Sequence, residues 1–410
     1  MKLSNNKINN GYILKLSLFI IIAGLGLRIP ISYIPPMSLE IMDDLKINHS
    51  TLGLITSLSP LCFFLFSPLT PYFEKKIGLY KTLIMTFIVA IFAYFLRSNS
   101  SVILLFVSTI MFGFAIALGN VALPSFFKRL GSSRIAILSS AYTASLYLGP
   151  AIATALTLPI KNIFDISWNK ISLAWIVIPI LSMLLILFFS NNKQVSVENK
   201  AIASNERYER LERAINPWVS IPCWIMAIYF SVLSFNFFII TAWFPELISS
   251  YGLSETNSAF YASLFPLIAI PFATLTSFYI YKIKQQKILF FINPIIFIIG
   301  ILILVYGSND LIPIAIAIMG IGAGICTGVA FLLPLLRFNN TANVTKANAM
   351  MQSMGYLIAF FGPLVSGYVH DLTGSWTIVL WICALTLSIQ AILGIAIGKN
   401  EKYDQDELAS

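Results

Sequence analysis

Residues 14–36 read Leu14-Lys-Leu-Ser-Leu-Phe-Ile-Ile-Ile-Ala-Gly-Leu-Gly-Leu-Arg28-Ile-Pro-Ile-Ser-Tyr-Ile-Pro-Pro36. Only Lys15 and Arg28 are charged. At about 1.5 Å of rise per residue, a helix of this length crosses a hydrocarbon core about 30 Å thick. Arg28 then lies roughly 20 Å beyond Lys15, past the midplane and out of reach of the near interface. A guanidinium at that depth costs about 2.5–3.5 kcal/mol on insertion scales, so it has to face a partner or a water-filled cavity. Gly24, Gly26, Pro30, Pro35 and Pro36 share the segment, and such residues are tolerated where backbone lines protein or water rather than lipid. Either neighbouring carbonyls satisfy Arg28, or it binds something negative; we favour the second reading.

Working outward, the composition excludes a water-soluble globule. The 410 residues are 58% hydrophobic and 10% charged, with mean hydropathy +0.85, whereas soluble domains carry about 25% charged residues. The first apolar run is a full span without a small-residue cleavage site, which predicts a retained helix rather than a signal peptide. Cys62, Cys223, Cys326 and Cys383 fall inside apolar runs at no metal-ligand spacing and read as buried hydrophobes. There is no P-loop and no His-Glu-x-x-His pattern, so neither an ATP-driven pump nor an intramembrane metalloprotease is expected, and no cofactor is implied. The net charge of +9 is explained by topology rather than by nucleic acid. Asn48-His-Ser and Asn339-Asn-Thr match glycosylation sequons, a pattern that chance supplies as easily.

Twelve apolar runs have spanning length: 14–36, 51–73, 81–97, 101–124, 136–160, 172–190, 218–245, 258–281, 287–306, 310–333, 346–370 and 375–397. The segments joining them alternate in charge. One set carries 21 of the 26 lysines and arginines; the other carries Lys46, Arg97, Lys161 and Lys170, and Arg28 completes the count. This positive-inside bias places both termini in the cytoplasm of a multi-pass cell inner-membrane protein. The longest polar interval divides the runs six and six, predicting an N-terminal bundle over 1–190, a cytoplasmic linker over 191–216 and a C-terminal bundle over 217–410. Within the linker, Glu206 with Arg210 and Glu209 with Arg213 at i,i+4 favour a short surface helix. The halves echo one another: Gly113–Arg129 resembles Gly322–Arg337, and Leu148-Gly-Pro150 resembles Phe361-Gly-Pro363. The expected fold is therefore all-α and integral to the membrane, with twelve transmembrane helices in two six-helix bundles related as a parallel repeat. Gly320, Gly324 and Gly328, and likewise Ala141, Ser145, Gly149 and Ala153, form small-residue stripes that let helices approach closely.

Four stretches carry a family likeness: Gln352-Ser-Met-Gly-Tyr-Leu-Ile-Ala-Phe-Phe-Gly-Pro-Leu-Val-Ser-Gly-Tyr-Val-His-Asp-Leu-Thr-Gly-Ser-Trp376, Arg28-Ile-Pro, Asn120-Val-Ala-Leu-Pro-Ser-Phe-Phe-Lys-Arg129 and Trp243-Phe-Pro-Glu246. They resemble the major facilitator superfamily, and within it the cyanate and 2-nitroimidazole permease group. The resemblance implies the major facilitator fold and a small-molecule carrier. Two departures are visible. The superfamily's loop between helices two and three carries an aspartate in Gly-x-x-x-Asp-Arg-x-Gly-Arg, where this chain offers Glu74 one place early, beside Lys75 and Lys76. The exporter-type Gly149-Pro150 is flanked by Ser145 and Ala153 instead of glycines.

Helical faces nominate the residues that meet solute. Asn348, Gln352 and Tyr356 share a stripe at i,i+4,i+8; Asn236 and Trp243 stand at i,i+7; helix four offers Asn120 and helix five Tyr142 and Tyr147. Each could instead join two helices by a hydrogen bond. Arg28 ranks first, then Gln352, Asn120 and Trp243. Glu74, Lys75, Lys76, Lys128 and Arg129 are the candidate gating residues of the basic end. No carboxylate lies at mid-membrane depth: Glu40, Asp43, Asp44 and Glu246 are at outer ends, and His370-Asp371 reads as a loop cap. The reading is a monomeric secondary transporter importing cyanate, a small carboxylate or a nitroimidazole, with a proton or counter-anion as possible co-substrate. A drug-type exporter and a sensor that has lost turnover are the alternatives.

Overall fold

The computed structural model describes residues 10–128, 132–190, 215–280, 283, 286–339, 341–398 and 403. The linker over 191–214, with its expected helix at 206–213, and Arg129 lie outside them. The described residues form twelve helices long and apolar enough to cross a membrane. In chain order these are α1 (Asn10–Ser32), α2 (His49–Phe66), α3 (Leu79–Arg97), α4 (Val102–Lys128), α5 (Ser132–Phe164), α6 (Val177–Ser190), α7 (Ile221–Ser249), α8 (Glu255–Tyr279), α9 (Gln286–Tyr306), α10 (Ile312–Ala330), α11 (Thr341–Thr373) and α12 (Trp376–Ile397).

Their limits follow local chemistry. Helix α1 stops ahead of Pro35 and Pro36, and the chain turns into a short helix over Ser38–Leu45. Asn48 caps α2 by accepting from Thr51 N at 3.0 Å. The loop expected between the second and third spans is largely helical, Thr70–Ile77, and ends at Gly78, whose φ of +86° suits a residue without Cβ. The sixth span is broken, a turn over Ile171–Trp175 leading into α6. Helices α5 and α11 run past the apolar runs at both ends.

Packing within each half repeats with an offset of six. Helix α1 packs on α5 and α6, as α7 packs on α11 and α12; α4 packs on α2 and α3, as α10 packs on α8 and α9; α3 meets α6 as α9 meets α12. The halves meet along α2 with α11 and α5 with α8, a pairing that maps onto itself under the same offset. This is the two-bundle architecture expected from the sequence. Large apolar side chains such as Leu18, Ile88, Ile103, Leu385 and Ile392 are exposed on the outer faces, as lipid-facing helices require.

Both small-residue stripes work as close-approach surfaces. A Cβ on Gly320, Gly324 or Gly328 would fall within 2.9 Å of the backbone oxygens of Phe265, Ala269 and Ala273 on α8. Ser145 and Gly149 on α5 meet Gly24 and Arg28 on α1.

Arg97, expected in an outer connecting segment, is instead 3% exposed at the end of α3. It donates from Nε to Ser108 Oγ at 3.0 Å, from Nη1 to Pro30 O at 3.0 Å and from Nη2 to Thr109 Oγ1 at 2.6 Å, with its guanidinium 4.5 Å from the Phe112 ring centroid. Pro30 O is among the last-turn carbonyls that α1 leaves unpaired, so Arg97 caps α1 and ties it to α3 and α4. Arg337 is likewise fully buried, donating to Ile397 O and Gln286 Oε1, both at 3.0 Å. Arg97→Met should remove three charge-assisted bonds and lower stability by about 2 kcal/mol or more, read as a reduced thermal midpoint of the detergent-solubilised protein, while the folded fraction keeps its solute affinity.

Candidate functional site

Arg28 faces the space between the halves, and glycines put it there. Gly149 gives room to its stem, since a Cβ at 149 would lie 2.6 Å from Arg28 Cβ. One residue earlier on α1, Leu27 fills the space left by Gly119 on α4. That approach sets the next pair, Arg28 and Asn120, within bonding reach. Arg28 Nη2 donates to Asn120 Oδ1 at 3.2 Å, and the Tyr142 hydroxyl donates to the same oxygen at 3.1 Å. Two buried donors remain without a partner, Arg28 Nε and Asn120 Nδ2. An unpaired buried donor costs about 1–3 kcal/mol, so the site is under-satisfied as it stands.

Two cavities share Arg28, Tyr147, Thr327, Phe331 and Tyr356. The smaller, about 70 Å³, is bounded by Phe230, Ser234, Phe237 and Phe238 of α7. The larger, about 620 Å³, adds Asn120, Tyr142, Gln352 and Thr274 and continues past Pro124, Ser140 and Leu335. Those last residues lie near the ends of α4, α5 and α10 that carry the basic segments, so the cavity runs from Arg28 to the basic end. Arg28 is the one charged residue among those lining either cavity. Aromatic rings frame it: Tyr356 lies edge-on to Phe63 at 5.3 Å and Phe230 at 6.4 Å, and Tyr147 edge-on to Phe237 at 6.4 Å.

The structure brings together Arg28, Asn120, Tyr142, Tyr147, Gln352 and Tyr356 from the sequence-nominated set. Asn348 sits one turn from Gln352 and accepts from its Nε2 at 3.1 Å, orienting that amide without lining the cavity. Asn236 and Trp243 line neither cavity. Asn236 is fully buried between α7 and α12, donating to Val232 O at 2.8 Å and Thr386 Oγ1 at 3.0 Å. Trp243 is buried at the end away from the basic segments, its Nε1 donating to Pro363 O at 3.1 Å. On the basic side, Glu74, Lys75 and Lys76 ride on the helix Thr70–Ile77, whose principal contacts are with α3 and α4 of its own half. Lys76 Nζ lies over the Tyr72 ring. Lys128 ends α4, its side chain outside the described set.

Sequence reasoning passed over Thr327, Thr274 and Ser234. The two threonine hydroxyls donate to carbonyls one turn back, Ala323 O and Ile270 O, both at 2.9 Å. Their oxygens therefore offer acceptors to the cavity. Lone hydroxyls on apolar helices carry no period, so no sequence signal marked them.

At the opposite end the halves are shut. A Cβ on Gly53 of α2 would lie 2.5 Å from Pro363 O, and one on Gly367 of α11 would lie 2.5 Å from His49 O. Leu364 N donates across the seam to Ser57 Oγ at 3.0 Å. The site is thus a central cavity between two bundles, open toward one end and closed at the other.

Residues 16–345 match the Major Facilitator Superfamily. The chain is 28% identical to the uncharacterized transporter YycB of Bacillus subtilis (strain 168) over 98% of its own length and 97% of the relative's. It is 26% identical to the 2-nitroimidazole transporter of Escherichia coli (strain K12), covering 92% and 93%, and 25% identical to a probable nitrate transporter NarT of Staphylococcus carnosus (strain TM300), covering 84% and 86%. Among solved structures, a D-xylose-proton symporter superposes with a TM-score of 0.77 at 13% identity, covering 95% of this chain and all of that one. With twelve spans in two repeated bundles around a central cavity, the chain belongs to the Major Facilitator Superfamily and is a multi-pass membrane transporter of that family, resembling the cyanate and 2-nitroimidazole permeases.

Proposed function

We propose that the protein takes up a small, flat, anionic or nitro-bearing solute by alternating access, binding it against Arg28. One observation carries this reading: the cavity's single cation keeps a buried Nε without a partner, beside an equally unpartnered Asn120 amide, with no carboxylate on the lining. An uncompensated charge in a low-dielectric site is costly, and an anion entering the cavity would supply both the counter-charge and the missing acceptors. A guanidinium fits planar, two-oxygen groups in a way that an ammonium cannot.

The relatives agree in chemistry. A 2-nitroimidazole, the nitrate ascribed to the probable transporters and the cyanate of a further relative at 21% identity are all compact, conjugated and rich in acceptors. Tyr147, Tyr356, Phe230 and Phe237 offer faces and edges suited to a flat solute, and Gln352, held by Asn348, can orient it from the C-terminal half. In this reading residues 1–190 and 217–410 are the rocking bundles and 191–216 the linker between them. The basic end is cytoplasmic by the positive-inside rule, both termini lie in the cytoplasm of the cell membrane, and the cavity as built faces inward. Counter-anion exchange is compatible with a cavity that lacks a carboxylate, and a monomer contains the whole site.

Counterflow in proteoliposomes tests the assignment. Exchange of labelled for unlabelled nitrate, cyanate or 2-nitroimidazole is expected of the wild type. Arg28→Ala should lower that exchange at least about 100-fold, since bonds to a charged group are worth about 1.5–3 kcal/mol each. Arg28→Lys should recover little of it. Asn236→Ala, removing only an interhelical bond worth about 0.6 kcal/mol, should leave exchange intact. Wild-type exchange by Arg28→Ala would overturn the site. A phosphatase that is active only outside the cytoplasm should be silent when fused after Ser410; activity there would reverse the topology.

A further inference from the structure

The closed end carries a cluster of ionisable groups that the solute site does not use. His49, at the start of α2, is pinned on both ring nitrogens by carboxylates of the other half: Nδ1 stands 2.9 Å from Asp371 Oδ1 on α11, and Nε2 stands 2.7 Å from Glu246 Oε1 on α7. Asp371 also accepts the backbone N–H of His49 at 3.1 Å and of Ser50 at 2.7 Å, together with the Ser50 hydroxyl. A residue of α11 thus caps the N-terminus of α2, where negative charge is favoured. Ser38 Oγ donates to Glu246 Oε2 at 2.8 Å. Glu246 is 7% exposed, so this contact is largely shielded from water.

The donors and acceptors do not balance without an added proton. Asp371 is saturated by donors and takes the Nδ1 hydrogen of His49. The 2.7 Å contact between Nε2 and Glu246 then needs a second hydrogen, whether it is drawn on the imidazole or on the carboxyl. When the halves part at this end, Glu246 and Asp371 leave with the C-terminal half and His49 remains with the N-terminal one. No pair then shares the proton.

We propose that His49, Glu246 and Asp371 form a proton-binding latch: closure of this end takes up one proton from the adjacent water, and opening releases it. A cavity of about 500 Å³ bordered by His49, Glu246, His370 and Trp376 gives the cluster its own access to that side. The proton therefore does not need to cross the solute cavity. The latch goes beyond the anion-site reading and does not depend on which solute is carried.

The surroundings limit the cluster to one proton. The His370 ring is centred 4.2 Å from that of His49 and stacks on Trp376 at 4.3 Å, so a second cation there would be repelled. The carboxylates of the neighbouring helix Ser38–Leu45 are engaged elsewhere: Glu40 with Lys161 at 2.7 Å, Asp43 with Lys46 at 2.9 Å and Asp44 with Trp168 Nε1 at 2.9 Å. The Tyr251 hydroxyl donates to Leu304 O at 2.8 Å, and burial pushes that phenol up, so it stays neutral.

The sign follows from linkage. Below the ordinary imidazole value of about 6.5, His49 is charged in both states and pH has no leverage through it. Above that value, and up to the higher one to which, against the lowering effect of burial, Glu246 and Asp371 raise His49, the closed state holds a proton that the open state has lost. The closed-to-open ratio then falls by up to about tenfold per pH unit. Spin labels at Ile163→Cys and Asp310→Cys, exposed positions on opposite halves at this end, report the separation by electron–electron double resonance on the full-length protein without solute. The native cysteines are buried and do not compete for label. The wild type should show the long distance growing between pH 6 and 8.5, His49→Gln should give a distribution that ignores pH, and His370→Gln should keep the wild-type response. A wild-type distribution unchanged over that range, a wild-type response in His49→Gln, or a response lost in His370→Gln would each overturn the latch.

Discussion

An arginine in a hydrocarbon slab has to be paid for, and this fold answers that demand in two ways. Arg97 and Arg337 spend their donors on carbonyls and side-chain oxygens: Pro30 O, Ser108 and Thr109 in one case, Ile397 O and Gln286 in the other. Each closes the end of a helix, so its charge serves as a cap and the surrounding bundle is tied together. Arg28 differs in geometry and in consequence. It donates to Asn120, whose amide nitrogen is itself unpaired, keeps its own Nε without a partner, and opens onto a cavity. Capping arginines are internally complete; Arg28 becomes complete when an acceptor arrives.

The same economy governs the seams. Inside each half, helices touch through glycines that bring backbones together, as α10 does on α8 and α5 on α1. A larger side chain on α10 meets main-chain oxygens of α8 that cannot yield, and one at Gly24 or Gly149 meets the stems of Ser145 or Arg28. Between the halves, α2 meets α11 with equally close approaches at Gly53 and Gly367, but those are flanked by hydrogen bonds that water can replace, from Leu364 N to Ser57 and from Ser50 to Asp371. Apolar interdigitation has no substitute in water, whereas polar contacts do. The molecule is therefore built to part between bundles rather than within them.

Much of this was legible in the amino-acid sequence. Twelve spans and a six-and-six division follow from hydropathy and loop charge, because lipid admits few alternatives to a helix. Arg28 stood out because a charge inside a long apolar run has no bland context. Arg97 was misplaced for the mirror reason: a basic residue at the end of a run looks like a loop charge, and only tertiary structure shows it folding back onto a helix terminus. Asn236 and Asn120 are indistinguishable as letters on apolar helices. One met Thr386 on α12 and the other Arg28, and that choice depends on helix rotation, set by close contacts such as Gly119 on Leu27. Trp243, nominated as a solute-facing ring, sits at the closed end with its Nε1 donating to Pro363 O. His49 drew no notice because it precedes its span and its partners lie 197 and 322 positions away.

Placing the charged groups at different depths has a mechanical consequence. In the proposed scheme Arg28 gains a counter-charge when solute is bound, whereas His49 gains its carboxylate partners when the far end is closed. The two requirements act on different coordinates, one on occupancy and one on orientation. Solute can therefore neutralise the central cation in either orientation without unlocking the latch, and the latch can open or close without moving the central charge through lipid. A single shared carboxylate at mid-membrane would couple the two directly, but no carboxylate lines either central cavity. With the ionisable groups separated in this way, proton occupancy at the rim shifts how much of the population is closed, while the chemistry of recognition stays with one guanidinium, one amide and the rings around them.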